Sequence, residues 1–135
     1  MADELALQLD HLTLNVGDLA RARRFYAAVL APLGLEVVGE RPAEGPGDAA
    51  LVGFGIGRKG NLWLAARGRQ EPAGHFAFRA ASRQAVRAFH AAALAHGGSD
   101  NGPPGIRHAY HPAYYAAFVI DPEGHNVEAV CFDPE

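Results

Sequence analysis

Three side chains of this sequence are suited to act together on a metal ion: His11, His75 and Glu128. His11 opens an alternating segment in which Leu12, Leu14 and Val16 take one face and His11, Thr13 and Asn15 the other. His75 opens a second such segment, with Phe76 and Phe78 on the opposite face. Near the end, Asn126, Glu128 and Val130 share one face of a last predicted strand, so Glu128 can join the two imidazoles. Two histidines and one carboxylate form a facial set that leaves coordination positions open for water or substrate, the donor set of iron(II) and manganese(II), with zinc, nickel and cobalt as alternatives. Such an ion serves as a Lewis acid or an oxygen-activating centre.

The elements that must position these residues occur twice. At an offset of 64 residues, His11–Gly34 aligns with His75–Gly98 without a gap, matching His11/His75, Arg23/Arg87, Phe25/Phe89, Ala27/Ala91, Ala28/Ala92, Leu30/Leu94, Ala31/Ala95 and Gly34/Gly98. The same offset pairs Phe54 with Phe118, Ile56 with Ile120 and Gly60 with Gly124. Two copies are too few for a solenoid and imply a pseudo-twofold unit with equivalent residues near the axis, both imidazoles facing one concavity. At that offset Glu128 corresponds to Leu64, which has no donor atom, so the set stops at three ligands.

Each copy reads as strand, helix and three strands. In the first, a strand over Ala6–Val16 precedes a helix capped by Asp18, with Leu19, Ala22, Phe25, Tyr26, Val29, Leu30 and Leu33 at helical spacing and Gly34 as its stop. Strands follow over Leu35–Gly39, Ala49–Ile56 and Asn61–Ala65, the last two separated by the turn Gly57–Gly60. In the second copy, the strand His75–Ala80 precedes a helix capped by Ser82, with Val86, Phe89, Ala93 and Leu94 as its buried stripe and Gly97-Gly98 as its stop. A short polar strand at Ser99, a Gly/Pro-rich loop over Asn101–Gly105, and strands over Tyr114–Ile120 and His125–Cys131 complete it. The modules run from about 6 to 66 and from 74 to 132, within one domain spanning 1–135.

Composition narrows the function. The chain has 135 residues and is 49% hydrophobic, enough for one compact core. Twelve basic against fifteen acidic side chains, with no basic patch beyond Arg21, Arg23 and Arg24, argue against a nucleic-acid partner. A single cysteine, Cys131, suits a reducing compartment. With no apolar leader or membrane-spanning stretch, the expected location is the cytoplasm, with no membrane partner.

The segments Asp10-His11-Leu12-Thr13-Leu14-Asn15-Val16, His75-Phe76-Ala77-Phe78 and Asp121-Pro122-Glu123-Gly124-His125-Asn126-Val127-Glu128 resemble the first strand, fifth strand and closing hairpin of the vicinal oxygen chelate superfamily. That superfamily includes glyoxalase I, extradiol dioxygenases, fosfomycin-resistance proteins, methylmalonyl-CoA epimerases and bleomycin-binding proteins. The resemblance implies an α+β fold in which two tandem βαβββ modules form a half-open barrel. It also implies a divalent metal on His11, His75 and Glu128, a substrate chelated through neighbouring oxygens, and a homodimer. Leu64 disfavours the glyoxalase-like lyase and epimerase activities, which use a fourth protein ligand, and leaves a dioxygenase-like three-ligand site. The competing reading is a non-enzymatic protein of the same fold that sequesters a drug or metabolite.

The segment Arg107-His108-Ala109-Tyr110-His111-Pro112-Ala113-Tyr114-Tyr115 departs from the fosfomycin-type loop and suits a substrate-facing lip, with Tyr110, His111, Tyr114 and Tyr115 as candidate contacts. Parity leaves open whether Tyr114 or Tyr115 faces the cleft. Thr13, Asn15 and Phe118 are further candidates within it. Trp63, opposite in parity to Leu64, is expected under the helices, His90 and His96 at the surface, and Cys131 in the core.

Overall fold

A computed structural model of the chain describes residues 9–134. The first part of the Ala6–Val16 segment therefore lies outside the described residues. Among the described residues, eight strands form two mixed four-stranded sheets. In the first module, β1 (Leu12–Asn15) leads into α1 (Leu19–Leu30) and a 3₁₀ turn (Ala31–Leu33), followed by β2 (Glu36–Arg41), β3 (Leu51–Ile56) and β4 (Lys59–Ala65). In the second, β5 (His75–Arg79) leads into α2 (Arg83–Ala95), then β6 (Ser99–Ile106), β7 (Tyr115–Ile120) and β8 (Asn126–Cys131). Strand orders are β1-β4-β3-β2 and β5-β8-β7-β6, so each module's opening strand is an edge strand running parallel to its closing one. The two sheets do not close on each other. The observed order is α+β and repeats strand, helix, three strands.

Local signals explain both helices. Asp18 Oδ1 accepts from Arg21 N–H at 3.0 Å and Ser82 Oγ from Ala85 N–H at 3.1 Å, satisfying amides that have no partner within the helix. Gly34 ends the first helical stretch at φ 85°, a left-handed conformation that disfavours any Cβ. Its sequence match, Gly98, does a different job: a Cβ there would stand 2.8 Å from the Phe25 ring, so the glycine lets α1 of one module pack against the other. Phe25, Tyr26, Val29, Leu30, Phe89 and Ala93 are fully buried in one core between the helices and the helix-facing sides of both sheets. Leu94, expected in the buried stripe of α2, is 46% exposed.

The segment expected to be a Gly/Pro-rich loop, Asn101–Gly105, is instead part of β6. β6 is an edge strand, where prolines forgo hydrogen bonds that the sheet does not need. Its pairing with β7 shifts register between Asp100 and Gly102 and again between Gly102 and Gly105.

A carboxylate-rich hairpin turn fastens the modules together. Glu123 accepts from Gly17 N–H at 3.0 Å, Asp18 N–H at 3.3 Å and Arg21 Nη2 at 2.9 Å, while the Tyr26 hydroxyl donates to Asp121. Asp121 Oδ1 also accepts from the Glu123 and His125 amides at 2.9 Å each. Arg21 is thus an intermodule partner. Among the described residues, no helix is long and apolar enough to cross a membrane.

Candidate functional site

Strand register decides which side chains share the solvent-facing concave surface of each sheet. In the second module, His75, Phe118 and Glu128 lie on that surface, with Phe118 directly opposite Glu128 across β7 and β8. Val127, Ala129 and Cys131 take the helix side and belong to the core. The His75 and Phe118 rings stack at 6.1 Å between centroids.

Glu128 is almost fully buried. Its Oε1 lies 3.1 Å from His75 Nε2, and its Oε2 accepts from the Tyr114 hydroxyl. His75 Nδ1 lies 3.1 Å from the carbonyl oxygen of Asn126. A carbonyl only accepts, so Nδ1 carries a proton, and Nε2 is the ring nitrogen that faces the carboxylate oxygen. An imidazole nitrogen and a carboxylate oxygen converging in this way can share a proton or a cation bound to both, and a backbone carbonyl behind the imidazole is a common support for a metal-ligating histidine. Burial, then the Glu128 hydrogen bond and charge, push the Tyr114 phenol up to about 12, so at neutral pH it is a donor.

His11 is elsewhere. Its Nδ1 lies 2.7 Å from Asp10 Oδ2, and Asp10 is also bound by Lys59 Nζ. Hydrogen bonds from His11 and Lys59 lower the Asp10 pKa. The Asp10 carboxylate fixes the His11 tautomer and leaves Nε2 free to ligate. Within one chain the two imidazoles and Glu128 are not brought together: among the described residues, no three His, Cys, Asp or Glu side chains converge as a metal site. The reason is topological. β1 and β5 are edges of different sheets and flank a groove of about 390 Å³ lined by His11, Leu12, Leu62, Phe76 and Phe78 among others. Neither His75 nor Glu128 is among the described residues that line it. One chain therefore carries the candidate donors in two places, Asp10-supported His11 and the His75–Glu128 pair.

The missing fourth donor is also assigned differently by the register. Thr13 pairs with Trp63, and Ala77, its counterpart two residues after the second histidine, pairs with Glu128. Trp63, not Leu64, thus stands where Glu128 stands. Leu64 is fully buried in the core beneath the helices, and Trp63 lies on the concave face that had been expected to carry Leu64. The 64-residue offset holds through the first strand and helix but is one residue longer at β4, and a one-residue slip exchanges the faces of a strand. The Phe54/Phe118 match is split for the same reason: Phe54 is in the core, while Phe118 is on the concave face opposite Glu128.

The loop between β6 and β7 forms a rim. Tyr110 is 67% exposed and meets Tyr114 edge to face at 5.1 Å, while His111 and Tyr114 both contact Phe132. Tyr114 is the tyrosine that faces Glu128. Tyr115 turns to the other side, where its hydroxyl accepts from Arg87 and its ring lies under Arg83, so it leaves the set of cleft contacts. Thr13 borders a smaller cavity with His11, Leu51, Trp63 and Arg67.

Arg107, the first residue of the segment read as a lip, packs beside Phe118. Its Nη1 and Nη2 donate to the carbonyls of Gly105 at 2.9 Å and Pro103 at 2.7 Å, and its guanidinium lies 5.3 Å from the centroid of Phe118. A glycine pair leaves room for it, since a Cβ at Gly102 or Gly105 would stand 3.1 Å from that guanidinium.

Residues 8–129 match the family model described as the Glyoxalase/Bleomycin resistance protein/Dioxygenase superfamily. No curated protein matches the chain. Among solved structures, a glyoxalase/bleomycin resistance protein from Albidiferax ferrireducens T118 is 27% identical, with a TM-score of 0.68 over 90% of this chain and 97% of that one. Glyoxalase I from Zea mays is 21% identical with a TM-score of 0.68, and the match covers 91% of this chain but only 45% of that one. A family enzyme from Burkholderia phytofirmans PsJN is 17% identical, with a TM-score of 0.66 over 93% of this chain and 98% of that one. With nearly the whole sequence and the fold in agreement, the chain belongs to the glyoxalase/bleomycin resistance protein/dioxygenase superfamily.

Proposed function

We propose that this protein is a divalent-metal-dependent enzyme acting on a small substrate with neighbouring oxygen atoms, and that its site is completed by a second copy of the chain. The observation that carries the reading is the His75–Glu128 pair, with Asn126 behind the imidazole and Tyr114 behind the carboxylate. A divalent ion bound there supplies Lewis-acid polarisation or oxygen activation. His11, braced by Asp10, contributes the third donor from the partner copy, since within one chain it lies apart from the other two. Tyr114 keeps its proton at neutral pH and holds Glu128 in place. The Tyr110–His111 rim covers the side from which substrate enters.

The test is metal content and assembly. Protein purified without a metal-carrying tag should retain one divalent ion per His11–His75–Glu128 set and sediment as a dimer. Replacing His11 in one preparation and Glu128 in another should abolish binding in each, and mixing the two should restore a fraction of the sites. Unchanged metal stoichiometry in the triple variant refutes the reading. A second reading, sequestration of a ligand without turnover, is favoured by Trp63 standing in the position that corresponds to Glu128. Ligand binding without product formation in the metal-loaded protein would support it.

A further inference from the structure

Trp63 lies flat on a floor made of glycine. A Cβ at Gly53 would stand 2.5 Å from Trp63 Cζ3, one at Gly60 2.6 Å from Cζ2, and one at Gly39 3.4 Å from Cη2. Gly39, Gly53 and Gly60 belong to β2, β3 and β4 in turn, so the ring spans three neighbouring strands. Glycine within a strand weakens it and marks close approach by another group. Three glycines beneath one indole are a poor way merely to fill space, because alanine side chains would cover the same backbone at less entropic cost.

The floor closes one face of the indole. The ring remains partly exposed and borders a cavity of about 260 Å³ with His11, Thr13, Leu51 and Arg67. That volume exceeds the roughly 150 Å³ that suffices for benzene in an engineered cavity. The ring also sits relative to His11 as Glu128 sits relative to His75, so a group resting on it borders Asp10-supported His11.

We infer that Trp63 is a stacking platform for a planar aromatic ring, which makes the ligand of this concave surface an aromatic compound. The inference adds a substrate class to the metal reading and rests on it for placing that ligand beside His11. Offset stacking gives an aromatic ligand an advantage over a saturated one of the same size. Arg67 at the rim is positioned to meet a polar or anionic substituent.

Trp63 is the single tryptophan of the chain, so its emission reports on this platform alone. Catechol is the probe and cis-1,2-cyclohexanediol its saturated control, each titrated into metal-free and manganese-loaded protein. Catechol should change the emission saturably and the diol should not. By calorimetry, Trp63→Leu should weaken catechol binding about tenfold, whereas Trp63→Phe, which keeps a ring, should stay within about threefold of wild type. No saturable emission change in the wild type overturns the platform. So does a folded Trp63→Leu protein that binds catechol as tightly as wild type. Quenching without manganese uptake would sustain the platform and refute the metal reading, and manganese uptake without quenching would do the reverse.

Discussion

The Tyr114 hydroxyl donates to one oxygen of Glu128 while the other oxygen meets His75 Nε2 at 3.1 Å. The phenol thereby fixes the orientation of a buried carboxylate whose second oxygen is the one available to an ion. Tyr114→Phe should leave the fold intact, cost about 1.5–3 kcal/mol in the lost charge-assisted hydrogen bond, and weaken manganese or cobalt binding at least tenfold. Calorimetric titration of the metal checks this, and unaltered affinity would reduce Tyr114 to a rim residue.

The two faces of β4 give a paired prediction. Leu64→Glu places a carboxylate in the core beneath α1 and should destabilise the protein by about 3–5 kcal/mol in denaturant unfolding. Trp63→Glu places the same group on the concave face, in the position corresponding to Glu128, and should cost clearly less. Equal losses would contradict the register.

Stability should depend on acid through Glu123. Burial alone raises its pKa, but the amides of Gly17 and Asp18 and the Arg21 guanidinium outweigh that effect, and the net shift is downward. A lowered folded-state pKa means that the stabilisation is present above the unfolded value of about 4.3 and is lost as pH falls through the folded one. Glu123→Gln should therefore be less stable than wild type at pH 7, by about 1.5–3 kcal/mol. The gap should narrow as the pH drops below about 4. Parallel unfolding curves across that range would show that Glu123 does not carry this linkage.

The rim can be separated from the framework. Tyr110→Ala and His111→Ala should change ligand affinity without changing metal content, since both residues border the approach to Tyr114. Tyr115→Phe should leave ligand affinity untouched, because its hydroxyl meets Arg87 on the helix side. Ligand titration and elemental analysis on the same preparations distinguish the two.

Local chemistry made much of this legible in the sequence. Asp18 and Ser82 announced the helix starts, and alternation around His11, His75 and Glu128 gave the correct faces. Where the sequence misled, the missing information was nonlocal. The prolines of β6 looked like a loop because only its place at a sheet edge makes them tolerable. The Phe54/Phe118 identity hid a one-residue slip that exchanged Trp63 for Leu64. Nothing near His11 or His75 reveals that their strands edge different sheets. Asp121 and Glu123 read as an ordinary turn because their partners Tyr26 and Gly17 lie 95 and 106 residues away.

Those last separations bear on how the chain acquires its structure during synthesis. Tyr26 and the amides at the start of α1 are made well before the groups that satisfy them, which belong to the hairpin between β7 and β8. The first module cannot exchange the water on that hydroxyl and those two amides for protein partners until a turn 95 to 106 residues further along has been made. Contacts of such long range slow folding. That turn is thus a late stitch between the modules, and damage there should leave the first module prone to aggregation.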